Sequence, residues 1–201
     1  HRLDRTGEMR VAALTGPALE AALGDVAALR IAVFADWPYL YDGDHAYEAA
    51  YLQTYCNAPR AILVGAYDGD SLVGASTGTP LSDHADDFAA AFDGTGIDLS
   101  QLFYCAESVL LPAYRGHGIG HRFFDQREAH ARALGFAKCC FCAVVRPPDH
   151  PARTATYRPL DAFWRARGYT PLDGVIAQFN WRDMGHEAET PKPLQFWIKD
   201  L

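Results

Sequence analysis

Between positions 115 and 122 the chain reads Arg-Gly-His-Gly-Ile-Gly-His-Arg, with three glycines at alternate positions, two arginines, two histidines and no carboxylate. Glycines at that density allow successive backbone N–H groups to converge on one anion. The run also sits between a strand-like and a helix-like stretch, where a helix N-terminus adds its positive end. The chemistry is that of phosphate binding, and the local excess of cation stands out in a chain of net charge −7. Two common phosphate loops are excluded. The dinucleotide pattern G-x-G-x-x-G needs a glycine where His121 or Phe123 stands, and a Walker loop needs a Gly-Lys-Ser/Thr that is absent.

The rest of the chain narrows the class of protein. Its 201 residues, 49% hydrophobic and 12% aromatic, supply a full core without the aid of metal or disulfide. The net charge of −7 opposes a role as a nucleic-acid binder, which needs Lys and Arg to displace phosphate counterions, and favours a cationic substrate or a basic partner. The longest apolar stretches, 61–66 and 139–145, are too short to span a bilayer, and the first residues do not resemble a signal peptide. A cytoplasmic setting with no membrane partner is expected. Residues 1–8, opening on His1 rather than Met, read as a leader or an expression remnant, and 9–201 as one domain.

Five cysteines is an odd number, and Cys139, Cys140 and Cys142 crowd one strand where they cannot all pair, so reduced thiols are expected. With His150 they invite a zinc site, but a structural site needs a second ligand pair, and adjacent strand residues face opposite ways. No metal is expected. Cys105 and Cys140, inside core strands, read as small hydrophobes rather than acyl-carrying nucleophiles.

Periodicity and turn residues place elements on both sides of the glycine run. Met9 to Leu14 is a strand, and Thr15-Gly-Pro17 leads into a helix through Leu29, Ile31 and Phe34. Pro38 and Gly43 break that helix, and Tyr47, Tyr51 and Tyr55, four apart, define a second. Residues 61–67 and 72–78 form a hairpin about Asp68-Gly-Asp70. Residues 80–101, with aspartates around Phe88 to Phe92, predict a polar excursion and the least ordered part of the chain. A strand over 103–111 then enters the glycine run, followed by a helix to Gly135, a strand over 137–145, a helix near 160–167 ending at Gly168, and strands near 175–181 and 194–199. This order predicts an α/β (α+β mixed) domain, with a central, mostly antiparallel sheet of about six to seven strands flanked by about four helices.

What remains after the exclusions is R-x-x-G-x-G following a strand that ends in Leu-Pro. Residues 106–120, Ala-Glu-Ser-Val-Leu-Leu-Pro-Ala-Tyr-Arg-Gly-His-Gly-Ile-Gly, resemble the acetyl-CoA motif of the GNAT superfamily of N-acetyltransferases. The likeness extends to the hairpin at 61–78, to Ala-Leu-Gly-Phe136 and to Phe163-Trp-Arg-Ala-Arg-Gly-Tyr169, so it covers nearly the whole element order.

The resemblance implies an acetyl-CoA-dependent N-acetyltransferase in which an amine attacks the thioester directly. It places the donor on Val109, Leu110 and Leu111, whose strand backbone would pair with the pantetheine arm, and on Arg115, Gly116, His117, Gly118, Ile119, Gly120 and Arg122 around the phosphates. Acyl transfer needs a neutral nucleophile, a donor to the oxyanion and a proton for the departing thiolate. Glu107 is the expected base and the Leu110 N–H the expected oxyanion donor. Trp164 stands where the family's usual Tyr acid stands, which leaves Tyr157 as the substitute acid, although a coenzyme A thiol leaves readily near its own pKa. Tyr39, Tyr41 and Asp42, with Asp44, fall where the family builds its acceptor side, and their acidic and aromatic character suits a cationic amine. The expected partner is a small-molecule or peptide amine, with a homodimer as a possible assembly. The alternative is a non-catalytic acyl-CoA sensor that keeps the phosphate loop and has lost the chemistry. A third reading, a structural protein on the same fold, predicts no affinity for the nucleotide.

Overall fold

The computed structural model describes residues 9–201, so the reading of 1–8 as a leader lies outside the described residues. In chain order the elements are β1 (Met9–Ala13), α1 (Gly16–Phe34), α2 (His45–Cys56), β2 (Ile62–Asp68), β3 (Ser71–Pro80), α3 (Ala85–Phe88), β4 (Leu102–Leu110), α4 (Ile119–Ala133), β5 (Lys138–Val144), α5 (Asp161–Ala166), β6 (Thr170–Arg182) and β7 (Glu189–Asp200). The strands form one seven-stranded sheet in the order β1-β2-β3-β4-β5-β7-β6. Every neighbouring pair is antiparallel except β4 and β5. This is the mixed, mostly antiparallel sheet that the element order predicts.

Alternation along the strands divides the core between the two faces. On one face Leu63, Ala75 and Val109 pack against Val26 and Leu29 of α1 and Leu52 of α2. On the other, Val64, Phe103 and Cys105 pack against Ile119, Phe123 and Phe124 of α4. Four of the five cysteines (105, 139, 140 and 142) are buried, and all five are free, as expected of small core hydrophobes.

Residues 81–101 correct the expectation of a loose excursion. Short 3-10 turns and the four-residue α3 drive Leu81, Phe88 and Phe92 into a cluster with Cys140 and Phe196, leaving these three side chains 0%, 2% and 5% exposed. The aspartates stay at the surface while the aromatics between them point inward, a pattern too short and irregular to register as helical periodicity.

The feature that shapes the site is the divergence of β4 from β5. They pair only at Leu102↔Lys138, Phe103↔Cys139 and Tyr104↔Cys140. Just beyond, β4 carries a bulge against β3: Gly78 faces Cys105, Thr77 faces Glu107, and Ala106 is the extra residue. A bulge bends its strand and breaks the ladder locally, so β4 swings away and a wedge opens between the two strands.

Candidate active site

On one side the wedge is bounded by backbone. The Leu111 N–H donates to Val73 O at 3.0 Å, and antiparallel bonding alternates, so the N–H of Leu110, paired across from Gly74, points the other way into the wedge. The Leu110 carbonyl accepts from Arg115 Nε at 3.1 Å. Leu111 also spends its carbonyl, on the Tyr114 N–H at 3.0 Å, and Val109 lies opposite Ala75 with its side chain buried. Of the three strand residues expected along the donor, Leu110 alone presents an N–H to the wedge.

Each glycine of the loop answers a different demand. Gly116 and Gly118 have φ of +83° and +82°, where a side chain would strain the backbone, and the space over each is open. Gly118 is the N-cap of α4 and offers no capping side chain, so the first-turn N–H groups of the helix are left for a ligand. Gly120 has an ordinary conformation, but a Cβ there would come within 3.3 Å of the Phe163 ring, so it is small because α5 packs against it. The cradle fits an anionic phosphate group.

The bulge also decides where Glu107 points. Cys105 faces α4, and without the extra residue Glu107 would face the same way. Instead its carboxylate, on a side chain only 9% exposed, forms an ion pair with Arg30 of α1 and accepts from Tyr51 Oη of α2 at 3.2 Å. Arg30 simultaneously pairs with the fully buried Glu48, whose other oxygen accepts from Tyr41 Oη at 2.9 Å. Burial alone would lower the Arg30 pKa, yet Glu107 and then Glu48 hold it above its ordinary value. Two carboxylates therefore share one guanidinium.

Beneath the bulge lies a second buried arginine. Arg127 of α4, 1% exposed, donates through Nη1 to Thr77 O (3.2 Å) and Glu107 O (2.9 Å) and through Nη2 to Ser108 Oγ (2.8 Å). The guanidinium thus joins the last registered pair beside the bulge, Thr77 and Glu107, to the helix that begins at the glycine loop.

The wedge opens into a cleft of about 2090 Å³. Lining it are Leu110, Arg115, Gly116, Gly118, Ile119 and Gly120 on the donor side, together with Glu107 and Tyr157 and the acceptor residues Tyr39, Tyr41 and Asp42. Val109, Leu111, His117 and Arg122 fall outside the lining, the last two on exposed surface. The residues expected on the acceptor side also make contacts within the chain. Tyr41 gives its hydroxyl to Glu48, Asp42 is paired with Arg182 at 2.6 Å, and Asp44 caps α2 through Ala46 N and Tyr47 N. Tyr157 stands edge-on to Trp37 with ring centroids 6.3 Å apart, and burial followed by the field of Asp161 raises its pKa, which keeps its proton in place. Trp164 packs on Phe141 and Trp197 within the core, so no acid arises at that position.

Sequence reading passed over Arg30, Glu48, Arg127 and Arg146. Three of them carried a signal. Arg127 interrupts the four-residue stripe Ile119, Phe123, Ala131, Glu48 shares a buried face with Leu52 and Tyr55, and Arg30 is the lone charge in the apolar run 26–34. A charge in an apolar stripe must find a partner, so each announces a buried pair without naming it.

Comparison with known proteins agrees with this geometry. Residues 28–161 match the model of the acetyltransferase (GNAT) family, and the chain belongs to that family. Its fold is similar to that of a ribosomal-protein-alanine N-acetyltransferase from Brucella melitensis (15% identity, TM-score 0.63, covering 96% of this chain and 99% of that one). It is similar also to the yncA protein of Salmonella typhimurium, solved with its cofactor acetyl-CoA (12% identity, TM-score 0.59, 96% and 94% covered). A third likeness is to an N-acetyltransferase from Staphylococcus aureus Mu50 (11% identity, TM-score 0.61, 96% and 98% covered). No match is found among the curated proteins. The protein is thus an acetyltransferase by family. Among the described residues no helix is long and apolar enough to cross a membrane.

Proposed function

We propose that this protein transfers the acetyl group of acetyl-CoA to a primary amine by direct attack. The observation that carries the reading is the open edge of β4. One strand presents the inward-facing Leu110 N–H, three residues after Glu107 and five before Arg115, so base, oxyanion donor and phosphate cradle follow one another along one strand and its turn. Acetyl-CoA supplies a thioester whose acyl carbon an amine can take. Arg115, Gly116, Gly118 and the first turn of α4 hold the phosphates. The Leu110 N–H donates to the carbonyl oxygen as charge grows there. Glu107 Oε accepts the amine proton directly or through one water, as the N–C bond forms and the C–S bond breaks. The sulfur leaves as thiolate or takes the Tyr157 proton.

The second reading, a non-catalytic acyl-CoA sensor, draws on the Arg30 ion pair, which ties down the carboxylate that must act as base. Release of free CoA across a panel of amines separates the two. Turnover that falls about 100-fold in Glu107→Gln with acetyl-CoA affinity retained supports the transferase. Acetyl-CoA binding with no turnover on any amine establishes the sensor. Arg115→Ala should raise the KM for acetyl-CoA in the first case and weaken binding in the second.

A further inference from the structure

The loop between α1 and α2 is tied across the acceptor side of the cleft to the end of β6 and the turn that follows it. Met184 N donates to Leu40 O at 2.6 Å, Asp42 N donates to Arg182 O at 3.0 Å, and Tyr41 and Asp183 form an antiparallel bridge between them. Trp181 Nε1 donates to Tyr39 O at 3.0 Å. Arg146, arriving from the end of β5, donates to Pro38 O (2.8 Å) and Tyr39 O (2.7 Å) and holds Asp183 through both carboxylate oxygens (2.8 and 3.1 Å). Lys192 closes the far side, 3.3 Å from Asp183. Leu40 is held at φ +54°, a conformation that a branched side chain adopts only when its surroundings insist on it.

Tyr41 of the strap bonds Glu48, which shares Arg30 with Glu107, so the strap lies beside that carboxylate and both line one cleft. An extended peptide lying across the same cleft would have to break a pair of backbone hydrogen bonds and a buried ion pair. Under the strap the cleft is walled by Phe34, Trp37, Tyr39, Tyr157 and Trp181. Charges of both signs surround it, Glu107 beside Arg30 and Asp183 beside Arg146 and Lys192, so recognition of a cation falls to the aromatic walls. The indole Nε1 of Trp37 is buried without a hydrogen-bond partner.

We infer that the strapped chamber receives a small primary amine with an apolar or aromatic body, and that it turns away the same amine carried on a peptide. The inference rests on the acyl-transfer reading for the role of Glu107 but is tested by binding. Calorimetric titration of the protein saturated with CoA compares tyramine, its neutral analogue tyrosol, and a tetrapeptide beginning with tyrosine. Tyramine should bind at least about tenfold more tightly than either, the first margin reflecting cation–π attraction and the second the strap. In Arg146→Met the margin over the peptide should narrow to about twofold. Trp181→Phe, which keeps the ring and loses the bond to Tyr39, should narrow it in part and serves if the first variant does not fold. Equal or tighter binding of the peptide by the wild type overturns the inference, as does tyrosol matching tyramine. Tight binding of tyramine without its acetylation supports the chamber and overturns only the acyl-transfer reading.

Discussion

The two halves of the cleft are built on opposite plans. The half proposed for the donor comes from one uninterrupted stretch, Leu110 to Gly120, and presents backbone N–H groups beside left-handed glycines. The half proposed for the acceptor draws on α1, the 36–44 loop, α2, Glu107, Arg146 and the β6–β7 region, and is held by side-chain ion pairs. Backbone donors carry no titratable group, whereas a network of carboxylates and guanidinium groups answers to pH. The two halves should therefore fail differently when perturbed.

The largest separation is expected from Gly118→Val. A β-branched residue at φ +82° strains the turn by roughly 2–3 kcal/mol, so acetyl-CoA should bind about 30- to 160-fold more weakly at every pH. Amine binding by calorimetry should stay within twofold; a parallel loss would show that the halves are not separable. Next is Arg127→Met, which removes the guanidinium from the Thr77 and Glu107 carbonyls that lie between the halves. A roughly 30-fold fall in kcat is expected, with the Kd for CoA within about twofold and partial recovery in Arg127→Lys. A fall in Tm with kcat unchanged would reduce Arg127 to a core residue.

Asp183→Asn tests the pH sensitivity of the acceptor half. Burial would raise the Asp183 pKa, but Arg146 and then Lys192 hold it below the ordinary carboxylate value. A carboxylate depressed in the folded state contributes stability above its unfolded pKa of about 4 and loses it as pH falls through the lower folded value. The variant should melt about 6–10 °C lower at neutral pH, consistent with breaking a buried pair worth about 3 kcal/mol. The gap should close as the pH falls below about 4, and a gap independent of pH would refute the ion-pair account. The smallest effect belongs to Tyr41→Phe, which removes one hydrogen bond to the buried Glu48 and should cost about 1 kcal/mol in denaturant unfolding. No change in unfolding would mean that Arg30 alone satisfies Glu48.

The glycine loop was legible in the sequence as a turn into a helix for the reason that sets it apart. A cradle of backbone N–H groups needs glycines at set spacing beside a helix start, and both are written locally. Even so, Gly120 looks like its neighbours in sequence, and only the Phe163 ring against it reveals a packing role. The acceptor half was legible only as composition. The aromatics and aspartates of 36–44 were visible, but Asp44 proved to be a helix cap and Asp42 the partner of Arg182, since a carboxylate's role depends on what folds against it.

Residue types and their order along the chain determined the strands, the helices, the glycine loop and the family, because periodicity, turn chemistry and glycine spacing act within a few residues. The tertiary structure decided the rest. One extra residue in β4 reverses which face Glu107 occupies, and Arg127, twenty residues away, bonds the Glu107 carbonyl beside it. Arg30, Glu48 and Arg146 become partners of distant groups only when the sheet brings them together, because a buried charge is stable only beside its counter-charge, and that neighbour is chosen by the fold.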